Sequence, residues 1–333
     1  MGKLGVKGTP EFHRKFFPEF AFYERLGGGP DPHMQLATWY AQFVEDAPWW
    51  YGCYVGPYVV STGEFIHQAW PTAQSVVDDQ EGFWAWVHAN YKKLEMRRER
   101  RAIYGTRRFG NHMIDYAKWC LSFNPPGTSF DADWAYLSTV PMNGRYGTMK
   151  LYNAMLEGGL LKHHWYDIRP AGGPTPRNAL SWMRPEFDLV LNGGNSPKTL
   201  AAVNQIAAEE KEWLRTEKGI DLNWFDFEVL LCEYKQAYDG GQYPGRAHDS
   251  ELGRALKLEE KVGPELNLKL WEGRRELFPH EPLGELGNRW EGRRGIGSFI
   301  REHGYTWSDM LYDYSATTDF ANPVRRPNAP QGL

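Results

Sequence analysis

Apolar side chains recur along this chain every three or four positions and almost nowhere every two. Strands with one buried face need period-two alternation, so the pattern predicts an all-α fold. Leu36, Tyr40, Phe43 and Val44 fall at helical spacing from His33 onward, and Pro48 and Gly52 read as breaks before a second helix from about Tyr58 to Trp70. A third is expected from Thr72 to about Tyr104. Further on, Arg145 to Glu157, Asn178 to Met183, Thr199 to Lys218 and Asn223 to about Tyr238 carry the same signal. The stretch from Phe12 to Phe22 reads as an aromatic, basic lead-in, closed by Gly27-Gly28-Gly29-Pro30-Asp31-Pro32. Asn124-Pro125-Pro126-Gly127 is the clearest linker signal. It suggests an N-terminal part at 1–125, a second part at 126–316 and an extended tail at 317–333, where prolines accumulate.

Several classes are excluded by what is missing. No apolar run approaches the roughly 18 to 20 residues that cross a bilayer, and no signal core or acylation site is read at the N-terminus, so a cytoplasmic protein is expected. Cys53, Cys120 and Cys232 lie too far apart for a zinc ribbon or a disulfide framework. His163 and His164 are adjacent and cannot both face one metal from a helix; no metal site is expected. Walker, G-x-S-x-G, H-E-x-x-H and dinucleotide-binding signatures are absent. The formal charge is −4, so any nucleic-acid surface must be a local patch. Fifteen Trp, 18 Tyr and 17 Phe allow either ring-filled helix interfaces or a stacking site for bases.

One patch stands out. Tyr91 to Arg108 holds eight basic side chains against two acidic ones, among them Arg97, Arg98, Arg100, Arg101, Arg107 and Arg108. Arginines suit bidentate phosphate contact, although such runs are commonly solvated faces. The Gly56-Pro57 turn before a helix is a second place where backbone N–H groups are expected to meet a phosphate. Gly144-Arg145-Tyr146-Gly147-Thr148-Met149-Lys150 puts two cations at a helix start. In Asp167-Ile168-Arg169-Pro170-Ala171-Gly172-Gly173-Pro174-Thr175-Pro176-Arg177, two arginines and an aspartate flank a glycine-rich turn. Glu228 stands on an otherwise apolar helix, either as an ion-pair partner or as a tuned acid–base group. Tyr243-Pro244-Gly245-Arg246 follows, with Asp249 and Glu251 just beyond.

These blocks, in this order over residues 140–255, resemble the amino acid:DNA transferases, also called alpha-glutamyl/putrescinyl thymine pyrophosphorylases, of bacteriophages with hypermodified thymine. The resemblance implies a helical fold related to DNA glycosylases of the helix-hairpin-helix type, working in the cytoplasm of an infected bacterium. The substrate it implies is DNA in which 5-hydroxymethyluracil carries pyrophosphate on its hydroxymethyl oxygen. An amine, either an amino acid or putrescine, would displace that pyrophosphate. Such chemistry needs cations around the leaving group, a part suited to Arg145, Lys150, Arg169 and Arg177, and a proton acceptor for the ammonium, a part suited to Glu228 or Asp249. Tyr146, Asp167, Tyr243 and Arg246 complete the expected substrate site, with Tyr146, Trp165 and Tyr243 able to stack on a flipped base. Gly56 and the basic run would hold the DNA backbone. No cofactor is implied beyond Mg²⁺ accompanying pyrophosphate. Two other readings compete: a glycosylase cutting the base–sugar bond, and a non-catalytic DNA-binding accessory.

Overall fold

The structure is a computed structural model that describes residues 9–26, 31–141, 144–168, 173–194, 196–238, 246–263, 266 and 268–277. The expected C-terminal tail at 317–333 lies outside them. Among the described residues there are sixteen α-helices, one short 3-10 turn and no strand, so the fold is all-α. The chain forms two compact units, and none of the crossings between them falls at Asn124–Gly127, which lies inside the second.

The first unit takes the chain up to Pro32 together with Trp165–Asp249. The expected lead-in is part of a helix, α1 (Pro10–Leu26), because Phe17 and Phe20 sit one turn apart and are both buried. They pack on Tyr234 with ring centroids 5.3 and 5.6 Å away. Tyr234 belongs to Trp224–Tyr238, which also packs against Pro174–Met183. Leu180, Met183, Val203, Ile206, Phe227 and Leu230 complete this core. The long helix Pro197–Lys218 starts with the Ser196 side chain accepting the Thr199 N–H and stops at Gly219, whose φ of 65° is left-handed.

The second unit takes His33–His164 and Ser250–Pro279. Its centre is the helix Ala47–Val55, in which every residue from Trp49 to Val55 is buried. Pro48 and Gly52 are therefore inside a helix rather than breaks between two. Pro48 occupies the first turn, where no N–H is needed, and Asp46 caps the start by accepting from the Trp49 N–H at 3.1 Å. Gly52 is required by close approach: a Cβ there would fall within the Tyr116 ring, which is fixed by its hydroxyl donating to the Pro48 carbonyl at 2.8 Å. Trp50 stacks on Tyr40 at 4.3 Å and donates to the Ala37 carbonyl at 2.7 Å. Much of the aromatic content is thus used in packing.

The single helix expected from Thr72 to Tyr104 is three: Ala73–Asp78, Gln80–Asn90 and Arg98–Ile103. Asp79 ends the first and caps the second, its carboxylate accepting from the Gly82 N–H at 2.8 Å. Arg145–Glu157 forms as the pattern predicts.

Candidate anion site

The basic run is spread over two helices, Arg98–Ile103 and Thr106–Cys120. Arg101, Arg107 and Arg108 point to solvent, whereas Arg97 is half-buried and Arg100 is only 5% exposed. The side chain of Arg98 lies outside the described residues. The inward pair meets residues from two other parts of the second unit. Arg97 lies over the Tyr58 ring, its Cζ 4.5 Å from the centroid, and the Lys150 ammonium stands 5.5 Å from the same centroid. Tyr58 meets Tyr146 edge to face at 6.0 Å. Arg100 and Lys150 each lie 5.8 Å from the centre of the Tyr146 ring. Tyr146 and Lys150 are four residues apart on Arg145–Glu157 and so share a face.

Three cations on two tyrosine rings gain some cation–π attraction, but they repel one another. Their placement near a helix start also opposes the helix dipole, which favours negative charge there. Arg145, at the first helical position, has its guanidinium pushed below the ordinary range by desolvation.

Tyr58 is held at some cost. Its φ of 57° is left-handed, which for an aromatic residue costs about 1–2 kcal/mol. Behind it stands an acid–base pair that the sequence reading did not single out. The Tyr58 ring packs edge-on to His33 at 6.3 Å, and His33 Nδ1 lies 3.1 Å from Glu251 Oε2. Glu251 Oε1 accepts the backbone N–H of Val60 at 2.8 Å and of Ser61 at 3.2 Å. Burial pushes the Glu251 carboxyl up, but His33, Arg254 and the Ser61 N–H outweigh it and hold it below the ordinary carboxylate range. One signal pointed to it: Ala247, Glu251, Ala255 and Leu258 are all buried at helical spacing on Arg246–Val262, so Glu251 is a charge on an apolar stripe.

The Gly56–Pro57 turn, expected to offer N–H groups to DNA, has them occupied. Gly56 donates to Gly52 and Tyr58 to Tyr54, and the helix that follows, Val60–Ala69, presents its first N–H groups to Glu251. The anion at this helix start is the chain's own carboxylate.

The remaining expected residues belong to the first unit or lie outside the described residues. Asp167, Arg177 and Glu228 are buried in the first unit. Arg177 Nη1 donates to the Gly194 carbonyl at 2.6 Å, and its helix packs on the one that carries Glu228. Trp165, suggested as a stacking ring, is buried edge-on against Phe225 at 5.5 Å and packs rather than stacks. Arg169 and Tyr243 lie outside the described residues, as do the side chains of Arg246 and Asp249. His163 does find a carboxylate, Asp133, at 2.9 Å across 30 residues, as an acid–base contact. No described helix is long and apolar enough to cross a membrane.

Comparison with models of protein families, with characterised proteins and with solved structures gave no match.

Proposed function

We propose that this chain is a transferase acting on modified thymine in phage DNA, displacing pyrophosphate from 5-(pyrophosphoryloxymethyl)uracil with an amino acid or polyamine. The observation that carries this reading is the convergence of Arg97, Arg100 and Lys150, from blocks about fifty residues apart, on the Tyr58–Tyr146 ring pair. Tyr146 keeps 43% of its surface exposed and offers a stacking face beside these cations. The combination suits a flipped base whose substituent ends in phosphates. The order of the Arg145, Asp167–Arg177 and Tyr243–Glu251 blocks supports the same family reading. A glycosylase-like architecture belongs to this proposal too, supported by the packed helical hairpin of Ala47–Val55 and Val60–Ala69.

In the reaction, the amine's ammonium gives up a proton, its nitrogen lone pair attacks the methylene carbon, and the carbon–oxygen bond breaks with its electron pair leaving on pyrophosphate. The cations stabilise charge that grows on the leaving oxygen. The ammonium proton passes to solvent.

The test is mass spectrometry of nucleosides from DNA carrying pyrophosphorylated 5-hydroxymethyluracil, after incubation with the full chain, putrescine and amino acids. An aminomethyl-linked deoxyuridine with released pyrophosphate is expected. Abasic sites would instead make it a glycosylase, and DNA bound but unchanged would make it an accessory.

A further inference from the structure

We infer that Tyr58 is a positioning residue, whose buried ring holds Tyr146 in place as the face on which an unpaired DNA base stacks. The inference rests on the base-stacking part of the reading above. Its first support is a mismatch between backbone and side chain. Among the described residues Tyr58 is the one residue other than glycine with a positive φ, 57°. Glycine takes up this conformation without strain and asparagine with little, so the turn itself does not call for an aromatic side chain. The strained residue is fixed on both sides: its N–H donates to the Tyr54 carbonyl at 2.8 Å, and the Pro57 carbonyl accepts the Arg97 N–H at 3.2 Å. What the ring reaches from there accounts for its being kept. It meets Tyr54 at 5.6 Å, His33 at 6.3 Å and Tyr146 at 6.0 Å.

The second support is the contrast between the two rings. They meet at an interplanar angle of 82°, yet Tyr58 is 2% exposed and Tyr146 is 43% exposed. A tyrosine that stands so far into water loses rotamer freedom when a ligand lands on it, unless a neighbour has already ordered it. The edge-to-face contact with a buried, fixed ring supplies that order. Lys150, itself buried, stands 5.5 Å from the centre of one ring and 5.8 Å from the other and so packs on both. Tyr58 is too enclosed to touch a base, so its effect on binding passes through Tyr146. Stacking on a tyrosine face tolerates any base, which makes an unmodified oligonucleotide a fair probe.

The experiment binds the full chain to a single-stranded thymine oligonucleotide with one central 2-aminopurine. Anisotropy of an end label gives affinity, 2-aminopurine quenching reports stacking, and the melting temperature of each variant is recorded. Wild type should bind and quench. Tyr58→Phe keeps the ring and should match it. Tyr58→Leu fills much of the volume without a ring, and affinity should fall about five-fold with quenching lost. Tyr58→Asn, which suits the left-handed backbone, is a second ringless variant and should do the same. Tyr146→Leu removes the stacking face and should lose about ten-fold or more. The double variant decides: with Tyr146 gone, Tyr58→Leu should cost no further affinity, even where it lowers the melting temperature. Losses that add in full between folded variants would make Tyr58 a general support of the fold and overturn the inference. So would quenching by both ringless variants equal to wild type, or its absence in wild type. Failure of the transferase reading looks different: the two tyrosines remain coupled, while the pyrophosphorylated DNA comes back unmodified.

Discussion

Glu210 in the first unit and Arg100 in the second are both ionisable side chains shut away from water, and the two units treat them in opposite ways. Glu210 Oε2 lies 3.0 Å from Arg14 Nη2 and 3.8 Å from Arg184 Nη1. Burial pushes its carboxyl up and the arginines pull against that. Arg100 lies 5.8 Å from the centre of the Tyr146 ring, and among the described residues no carboxylate pairs with it. A buried charge that is paired is costly to break, whereas one left unpaired costs little to remove.

The largest test of that contrast is Glu251→Ala, because in the second unit this carboxylate is the paired charge. Its removal strands two buried N–H groups and a buried histidine, and should cost about 3–5 kcal/mol in denaturant unfolding. A loss below about 1 kcal/mol would mean that Glu251 does not hold the site together.

Next comes a dependence on pH. Glu64 is pushed up to about 9, by burial first, with Glu259 adding to it and hydrogen bonds from Tyr40 and Gln68 opposing. Its folded pKa is raised, so its stabilisation is complete below 4.5 and is lost as pH climbs through 9. His13 and His112, each lowered to about 4 mainly by burial, act in the opposite sense: their contribution is complete above 6.5 and falls as pH drops toward 4. Between pH 6.5 and 9 the Glu64 effect stands apart from these two. Glu64→Gln should flatten a decline of about 1.4 kcal/mol per pH unit. A slope unchanged in the variant would show that Glu64 titrates normally.

A smaller effect sharpens the comparison by its sign. Glu210→Ala leaves two arginines with access to water and should cost about 1–2 kcal/mol. Arg100→Met should cost nothing or raise the melting temperature, since it removes an unpaired buried charge. Similar losses in both would erase the distinction between the units. The smallest change is expected at Arg215→Ala, whose partner Glu212 is equally exposed; its denaturant midpoint should stay at the wild-type value.

Much of the fold was legible because helix periodicity and caps are local. Arg145–Glu157 and Trp224–Tyr238 lie where their apolar spacing puts them. The misreadings share a cause. Pro48 and Gly52 looked like punctuation because the reasons for keeping them in a helix, the Asp46 cap and the Tyr116 ring, depend on tertiary contact. Asp79 broke a helix that its neighbours' pattern would have continued. The site was legible only in pieces. The Arg97–Arg108 run and the Arg145–Lys150 motif were each visible as cationic, yet were given separate tasks, because their meeting depends on Tyr58, which carries no motif. His33 and Glu251 reach each other across more than two hundred residues, a pairing to which no local spacing rule applies.

That distance also sets an order of events. The Val60 N–H that Glu251 accepts lies 191 residues earlier in the chain. At a synthesis rate of about 5–20 residues per second, the helix start at Val60 waits roughly 10–40 s for its carboxylate. By then Trp165–Asp249, the larger described part of the first unit, has already been made. The second unit, begun at His33, thus stays incomplete while Trp165–Asp249 of the first is made. Until residue 251 emerges, the beginning of the Val60–Ala69 helix lacks the carboxylate that its first N–H groups meet, and Tyr58 lacks the His33–Glu251 pair behind it.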